Sequence, residues 1–185
     1  MKKLLFVLAL GFGFNSQAQK FADLGKEETS VVTFFSKSPL EDIEATNKKA
    51  AVILDASTGD LQSVITIKMF KFKNALMEEH FNENYMESTK FPNAMFKGKV
   101  NEKIDLTTDA AQKVTATGKL TIHGVTKDVT LEGTITKKSD AMALETKFKV
   151  KVADYNIKVP SLYVKNIAEV VDVTLTSTIK PYVKK

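Results

Sequence analysis

Between residues 113 and 122 the chain changes character at every step: Val114, Ala116, Gly118, Leu120 and Ile122 alternate with Lys113, Thr115, Thr117, Lys119 and Thr121. Successive side chains of an extended strand point to opposite faces, so a period of two predicts a strand with one buried and one wetted face. The pattern continues. A turn over His123–Lys127 leads into Val129, Leu131, Gly133 and Ile135, which alternate with Asp128, Thr130, Glu132, Thr134 and Thr136. Met142, Leu144, Thr146, Phe148, Val150 and Val152 form a third row against Glu145, Lys147, Lys149 and Lys151. Val171, Val173, Leu175 and Ile179 form the last, against Asp172, Thr174, Thr176 and Thr178.

The front half is less regular. Residues 31–37 and 50–56 read as strands, residues 61–72 as a long one, and residues 94–106 as another with Phe96, Gly98 and Val100 on one face. The apolar phase shifts between Met69 and Phe70, which predicts a bulge or a strand buried on both faces. Residues 74–86 break the alternation: Leu76, Met77, His80, Phe81 and Tyr85 fall at helical spacing among Glu78, Glu79, Asn82 and Glu83. This predicts one short amphipathic helix ending before Phe91-Pro92. About eight strands and one inserted helix predict an all-β fold, an antiparallel eight-stranded barrel. Such a barrel holds either filling side chains or one small ligand, and the pattern leaves both open. Gly98, Gly118 and Gly133 on the apolar rows fit interior space and close backbone contact equally well.

The N-terminus has a separate logic. Lys2 and Lys3 precede an apolar run from Leu4 to Phe14, followed by Ser16 and Ala18. That order predicts a secretory signal peptide over residues 1–18, with residues 19–185 as one mature domain. The run is about half the roughly 20 residues of a spanning helix, so no stable membrane insertion is expected. Cleavage removes two of 27 basic residues and none of the 22 acidic ones, leaving a formal charge of +3 in place of +5. So mild a balance, with scattered lysines, predicts no nucleic-acid partner. With no cysteine, packing and sheet hydrogen bonds must hold an exported fold. A transmembrane barrel would need an apolar outer band with aromatic girdles, whereas the Lys/Thr/Glu face here suits water.

Little in the chain looks catalytic. There is no Gly-x-Ser-x-Gly elbow, His-Glu-x-x-His helix or phosphate-binding glycine loop. Glu78 and Glu79 are adjacent on the helix and point apart. His80 and His123, without cysteines or shared spacing, make a poor metal site, and His123 is expected to be exposed in its turn. The chain reads as a non-enzyme without a cofactor.

Three stretches resemble a known family. Phe91-Pro92-Asn93-Ala94-Met95-Phe96 is similar to its Phe/Tyr-Pro-x-Ala-x-Phe segment. Residues from Gly118 to Val129 resemble its Gly-x-Leu-Thr-Ile-x-Gly-Val-Thr-Lys-x-Val hairpin, and Asp154-Tyr155-Asn156-Ile157 resembles a late motif. The chain is identified from these as a member of the YceI-like family of exported polyisoprenoid-binding proteins. The resemblance implies a lipocalin-like barrel holding a long isoprenoid or related lipid chain, and a periplasmic location in preference to secretion. The chain departs from the family over Ser36–Ile43. On this reading the lumen is lined by Phe96, Val100, Leu120, Ile122, Leu131, Ile135, Leu144, Phe148, Val150, Val173 and Leu175, with Leu76, Met77 and Phe81 closing one end. The rivals are a ligand-free, closed-barrel envelope interaction or stress module, and a lipid-directed enzyme with a polar cluster in its lumen. A homodimer is left open.

Overall fold

A single sheet with one apolar face must curl until that face is covered. The computed structural model describes residues 19–37, 42–159 and 168–182. The expected signal peptide and residues 38–41 of the expected front-loop departure lie outside the described residues. Eleven strand segments form: β1 (Lys20–Leu24), β2 (Ser30–Ser36), β3 (Ile43–Asn47), β4 (Ala51–Asp55), β5 (Asp60–Thr66) and β6 (Lys71–Phe72), then β7 (Asn93–Val100), β8 (Gln112–Ile122), β9 (Val125–Lys138), β10 (Ala141–Lys151) and β11 (Val170–Pro181). They build one sheet in the order β1-β4-β5-β7-β8-β9-β10-β11-β2-β3-β6, and β1 also pairs with β11.

That last pairing closes the expected antiparallel barrel of eight wall strands. Eleven segments make eight because the first three wall strands are each broken. β11 pairs with β2 over residues 172–177 and with β1 at residues 180 and 181, so β1 and β2 share one wall position. β3 and β4 share the next, and β5 and β6 the third.

The three breaks lie side by side and are tied together. Gly25, at φ 73°, lets the first pack on the second, since a Cβ there would lie 2.7 Å from the Lys49 carbonyl oxygen. Asn47 is fully buried and joins the second to the third. Its Nδ2 donates to the Thr66 carbonyl at 2.9 Å, and its Oδ1 accepts from the Lys49 amide at 2.7 Å. The third break is a 3-10 turn at Ile67–Met69, with Ile67 buried and Met69 46% exposed. A turn, not a bulge or a doubly buried strand, therefore accounts for the apolar phase shift.

Two other expectations are corrected. The strand expected over residues 94–106 stops at Val100, because Glu102 accepts from the Thr115 amide (2.7 Å) and hydroxyl (2.9 Å) and turns the chain back. Ile104 is buried beneath that end. The five-residue turn expected at 123–127 shrinks to His123-Gly124, with Ile122 opposite Val125. Both turn residues have positive φ (50° and 74°), the signature of a type I′ hairpin whose twist matches the strands.

The helix forms where its spacing placed it. Asn74 accepts from the Leu76 amide at 2.9 Å and caps α1 (Ala75–His80), which continues as a wider π turn over Phe81–Tyr85. The barrel is solid at one end, where Leu54, Met142 and Ile179 have no exposed area. At the other end the helix lies over the lumen.

Asn47→Ala removes both ties at once and leaves the Thr66 carbonyl without its buried donor. A loss of about 2 kcal/mol is expected in urea denaturation, with no change in the β-sheet circular dichroism of the folded protein.

Candidate functional site

Side chains from every wall strand converge on a cavity of about 390 Å³. It lies in the half of the barrel beneath the helix, while the other half is filled by packed side chains. Met77, Phe81, Phe96, Val100, Leu120, Ile122, Leu131, Ile135, Leu144, Phe148, Val150, Val173 and Leu175 all line it. Leu76 does not: it points to solvent and is 55% exposed. The cap at Asn74 sets the helical phase, and residues 77, 80, 81 and 85 take the inward face.

Sequence reasoning missed the aromatic wall beside the helix. Phe34 stacks on Phe81 at 5.3 Å between ring centroids and meets Phe70 and Phe72 edge-on at 5.4 and 5.8 Å. Phe81 also meets Phe72 at 5.0 Å. Val32, Phe34 and Ser36 alternate inward, but neighbouring Val31 and Phe35 are apolar too and hide the period. Phe70 and Phe72 were obscured by the break before them. Gly98 and Gly118 are paired across β7 and β8, and close backbone contact explains them.

Polar groups are few: Ser36, His80 and Tyr85 reach the cavity near the helix, and Ser63, Glu132, Thr134, Glu145 and Thr146 reach it along the wall. Ser36 Oγ accepts from the Ala168 amide at 2.9 Å. Glu78 fixes the outer side of the helix. The Lys71 ammonium, hydrogen-bonded to it at 2.6 Å, and the Phe72 amide at 3.3 Å hold its carboxyl below the ordinary value. Among the described residues, no group of three His, Asp or Glu is arranged to hold a metal ion.

His123, expected to be exposed, is buried. Its Nδ1 lies 3.1 Å from the Tyr155 carbonyl and its Nε2 3.0 Å from Glu87 Oε2, while Phe91 packs edge-on at 4.4 Å. A hairpin turn is an exposed position only while nothing folds over it. Here the segment after the helix and the 3-10 turn Val152–Tyr155 after β10 both do. Burial, with the Asp154 carboxylate second, pushes the Tyr155 phenol above its ordinary value, so its hydroxyl stays neutral.

This closed barrel with an apolar lumen has known counterparts. The model of the YceI-like domain matches residues 25–179. The chain belongs to that family. A polyisoprenoid binding domain from Saccharophagus degradans superposes with a TM-score of 0.74 at 14% identity, covering 90% of this chain and 100% of that one. BcnA from Burkholderia cenocepacia gives 0.68 at 22% identity, covering 85% and 98%. The YCEI protein of Campylobacter jejuni gives 0.52 at 23% identity, covering 81% and 86%. At such identities these structures show the fold alone. No match to this YceI-like chain is found among curated protein sequences.

The two faces of α1 give opposite expectations. Leu76→Ser changes stability by under about 0.5 kcal/mol, whereas Phe81→Ala, which opens the aromatic wall, costs about 2 kcal/mol or more; urea denaturation reads both.

The helix anchor also carries a pH dependence. A carboxyl with a depressed folded pKa stabilises above its unfolded value and ceases to as pH falls through the folded one. Glu78 therefore holds α1 at neutral pH and releases it in acid. Amide exchange over residues 75–85, corrected for intrinsic rates, should quicken in acid, and Glu78→Gln should show fast exchange already at neutral pH.

Proposed function

We propose that this YceI-like barrel binds one long apolar chain, an isoprenoid or related lipid, and carries or stores it without chemistry. The observation that supports this reading is the cavity of about 390 Å³ with its nearly all-apolar lining. Pockets for small ligands commonly span about 300–1,000 Å³. Each Å² of apolar surface taken from water contributes about 25 cal/mol, offset by the freedom the ligand loses. The polar groups near the helix suit one headgroup at the end of such a chain. The polyisoprenoid binding described for the Saccharophagus degradans domain supports the same ligand class.

The rival reading, a ligand-free envelope module, calls for a filled core, and the hollow half of the lumen favours the carrier. An enzyme calls for a polar cluster in the lumen, and the described lining is dominated by Val, Ile, Leu and Phe. The signal-like residues 1–18 support export to the periplasm. On this reading the mature protein begins near Gln19 in the periplasmic fraction; uncleaved protein in the cytoplasm would count against it.

Organic extraction of the mature protein from its native host, followed by mass spectrometry, tests the function directly. A stoichiometric isoprenoid or acyl lipid is expected, and an empty extract would return the ligand-free module. Phe148→Asp places a charge in the lumen and should abolish lipid retention while the barrel stays folded by circular dichroism; full retention would remove Phe148 from the site.

A further inference from the structure

The barrel wall is not zipped all the way round. The ladder between β9 and β10 runs from Lys138–Ala141 to Gly133–Thr146 and stops. Past that rung, among the described residues, residues 125–132 pair only with β8, and residues 147–151 only with β11. Two strands, each paired on one side, thus flank a lateral slot in the half of the wall that surrounds the cavity. At the fork Thr146 Oγ1 donates to the Glu132 carbonyl at 2.6 Å, satisfying an acceptor the ladder leaves over. Gly133 puts no side chain across the opening, and a Cβ there would lie 2.6 Å from the Glu145 carbonyl oxygen.

The cavity reaches this fork. Glu132 and Glu145, outward by the alternation and exposed, touch it together with Gly133 and Thr146. Lys127 gives an independent sign. It lies opposite inward-facing Leu120 and shares the lumen parity of Val129 and Leu131, yet it is exposed. An ammonium can stay hydrated on that row because no paired β10 strand covers it.

Unpaired strand edges invite another strand, and charges discourage that. The slot edges carry exposed Asp128 and Glu132 on β9 and exposed Lys147, Lys149 and Lys151 on β10. Behind them the row is apolar, with Leu131 and Phe148 half-buried. Other routes are covered among the described residues. Packed core fills one end, and Phe81 stacked on Phe34 lies under the helix at the other.

Tyr155 plugs the upper part of the slot. It is buried with Leu120 and Val150, and its carbonyl is held by His123 at the tip of the β8–β9 hairpin. His123 in turn reaches Glu87 beyond the helix. Both partners are acceptors, so a neutral imidazole donates to one at a time and an imidazolium to both.

We propose that this slot is the passage by which an apolar chain enters and leaves the lumen, with Tyr155 as its plug and His123 as the latch. The proposal rests on the carrier reading. A lateral slot lets a long chain pass edge-on between Leu131 and Phe148 without unpacking the solid end or the aromatic wall.

The absence of cysteine makes the test clean. Thr130→Cys and Lys149→Cys, on the outer faces of β9 and β10, are bridged by a short bis-maleimide; the same variant capped with N-ethylmaleimide is the control. A second variant, Lys71→Cys with Glu78→Cys, ties α1 to β6 instead. Stopped-flow fluorescence with 11-(dansylamino)undecanoic acid reads uptake and release. Bridging the slot is expected to slow both rates by about tenfold or more while Kd stays within about twofold, because a passage sets rates and not the equilibrium. The helix bridge leaves the rates unchanged, and His123→Ala speeds both. Unchanged rates with the slot bridged, or slowing by the helix bridge alone, would overturn the passage. A probe that binds no form at all would overturn the carrier reading first.

Discussion

Closure of the sheet rests on a narrow seam. Among the described residues β1 meets β11 at two residue pairs, Phe21 with Pro181 and Ala22 with Lys180, and β2 continues along β11 from there. Without that seam the sheet would be open, with β1 and β6 as its outer strands, and inward apolar side chains would lose the wall opposite them. With it, each inward side chain is covered by the wall opposite and each outward one is hydrated. The three breaks in the first wall strands lie side by side, and Gly25 and Asn47 tie them together. This gives Gly25 and Asn47 their weight, although neither approaches the lumen cavity.

A closed wall does not decide what fills it. At one end, residues from β1, β4, β10 and β11 and from the loop after β7 meet and exclude space, with Leu54, Met142 and Ile179 fully covered. At the other end the helix lies above the lumen and the strands splay, so the same kinds of side chain line a hollow. A continuous cluster of phenylalanines borders that hollow. Aromatic rings in edge and stacked contact hold a wall without filling the space beside it. A barrel half packed and half hollow obtains its stability from one end and its capacity to bind from the other.

The splayed strands are the local expression of that division. β9 and β10 share a ladder where the core is solid and separate where it is hollow. The turn carrying Tyr155 and the hairpin carrying His123 bring the two strands together again at the rim. The rim is therefore held by side-chain and turn contacts, which open at lower cost than a strand ladder. Glu87 extends the same junction to the segment behind the helix, so the helix cover and the slot share one anchor.

Much of this was legible in the amino-acid order. Period-two alternation over residues 113–136, 142–152 and 171–179 determines strands with one apolar face, and their number points to a barrel. The same alternation names the lining row, because parity along a strand is parity across the wall; the eleven strand residues it names all reach the cavity. The helix was readable from the spacing of Met77, His80 and Phe81; its cap at Asn74 came from the structure. Parity, however, says which face a residue takes and nothing of its depth along the barrel. Only the tertiary structure decided that Leu54 and Ile179 are packed while Leu131 and Phe148 border open space. Leu76 was misplaced because the helical phase depends on where the cap sits. His123 was read as exposed because its partners, Tyr155 and Glu87, lie more than thirty residues away in sequence. Contacts between segments so distant depend on how the barrel closes, and a local pattern carries no record of that closure.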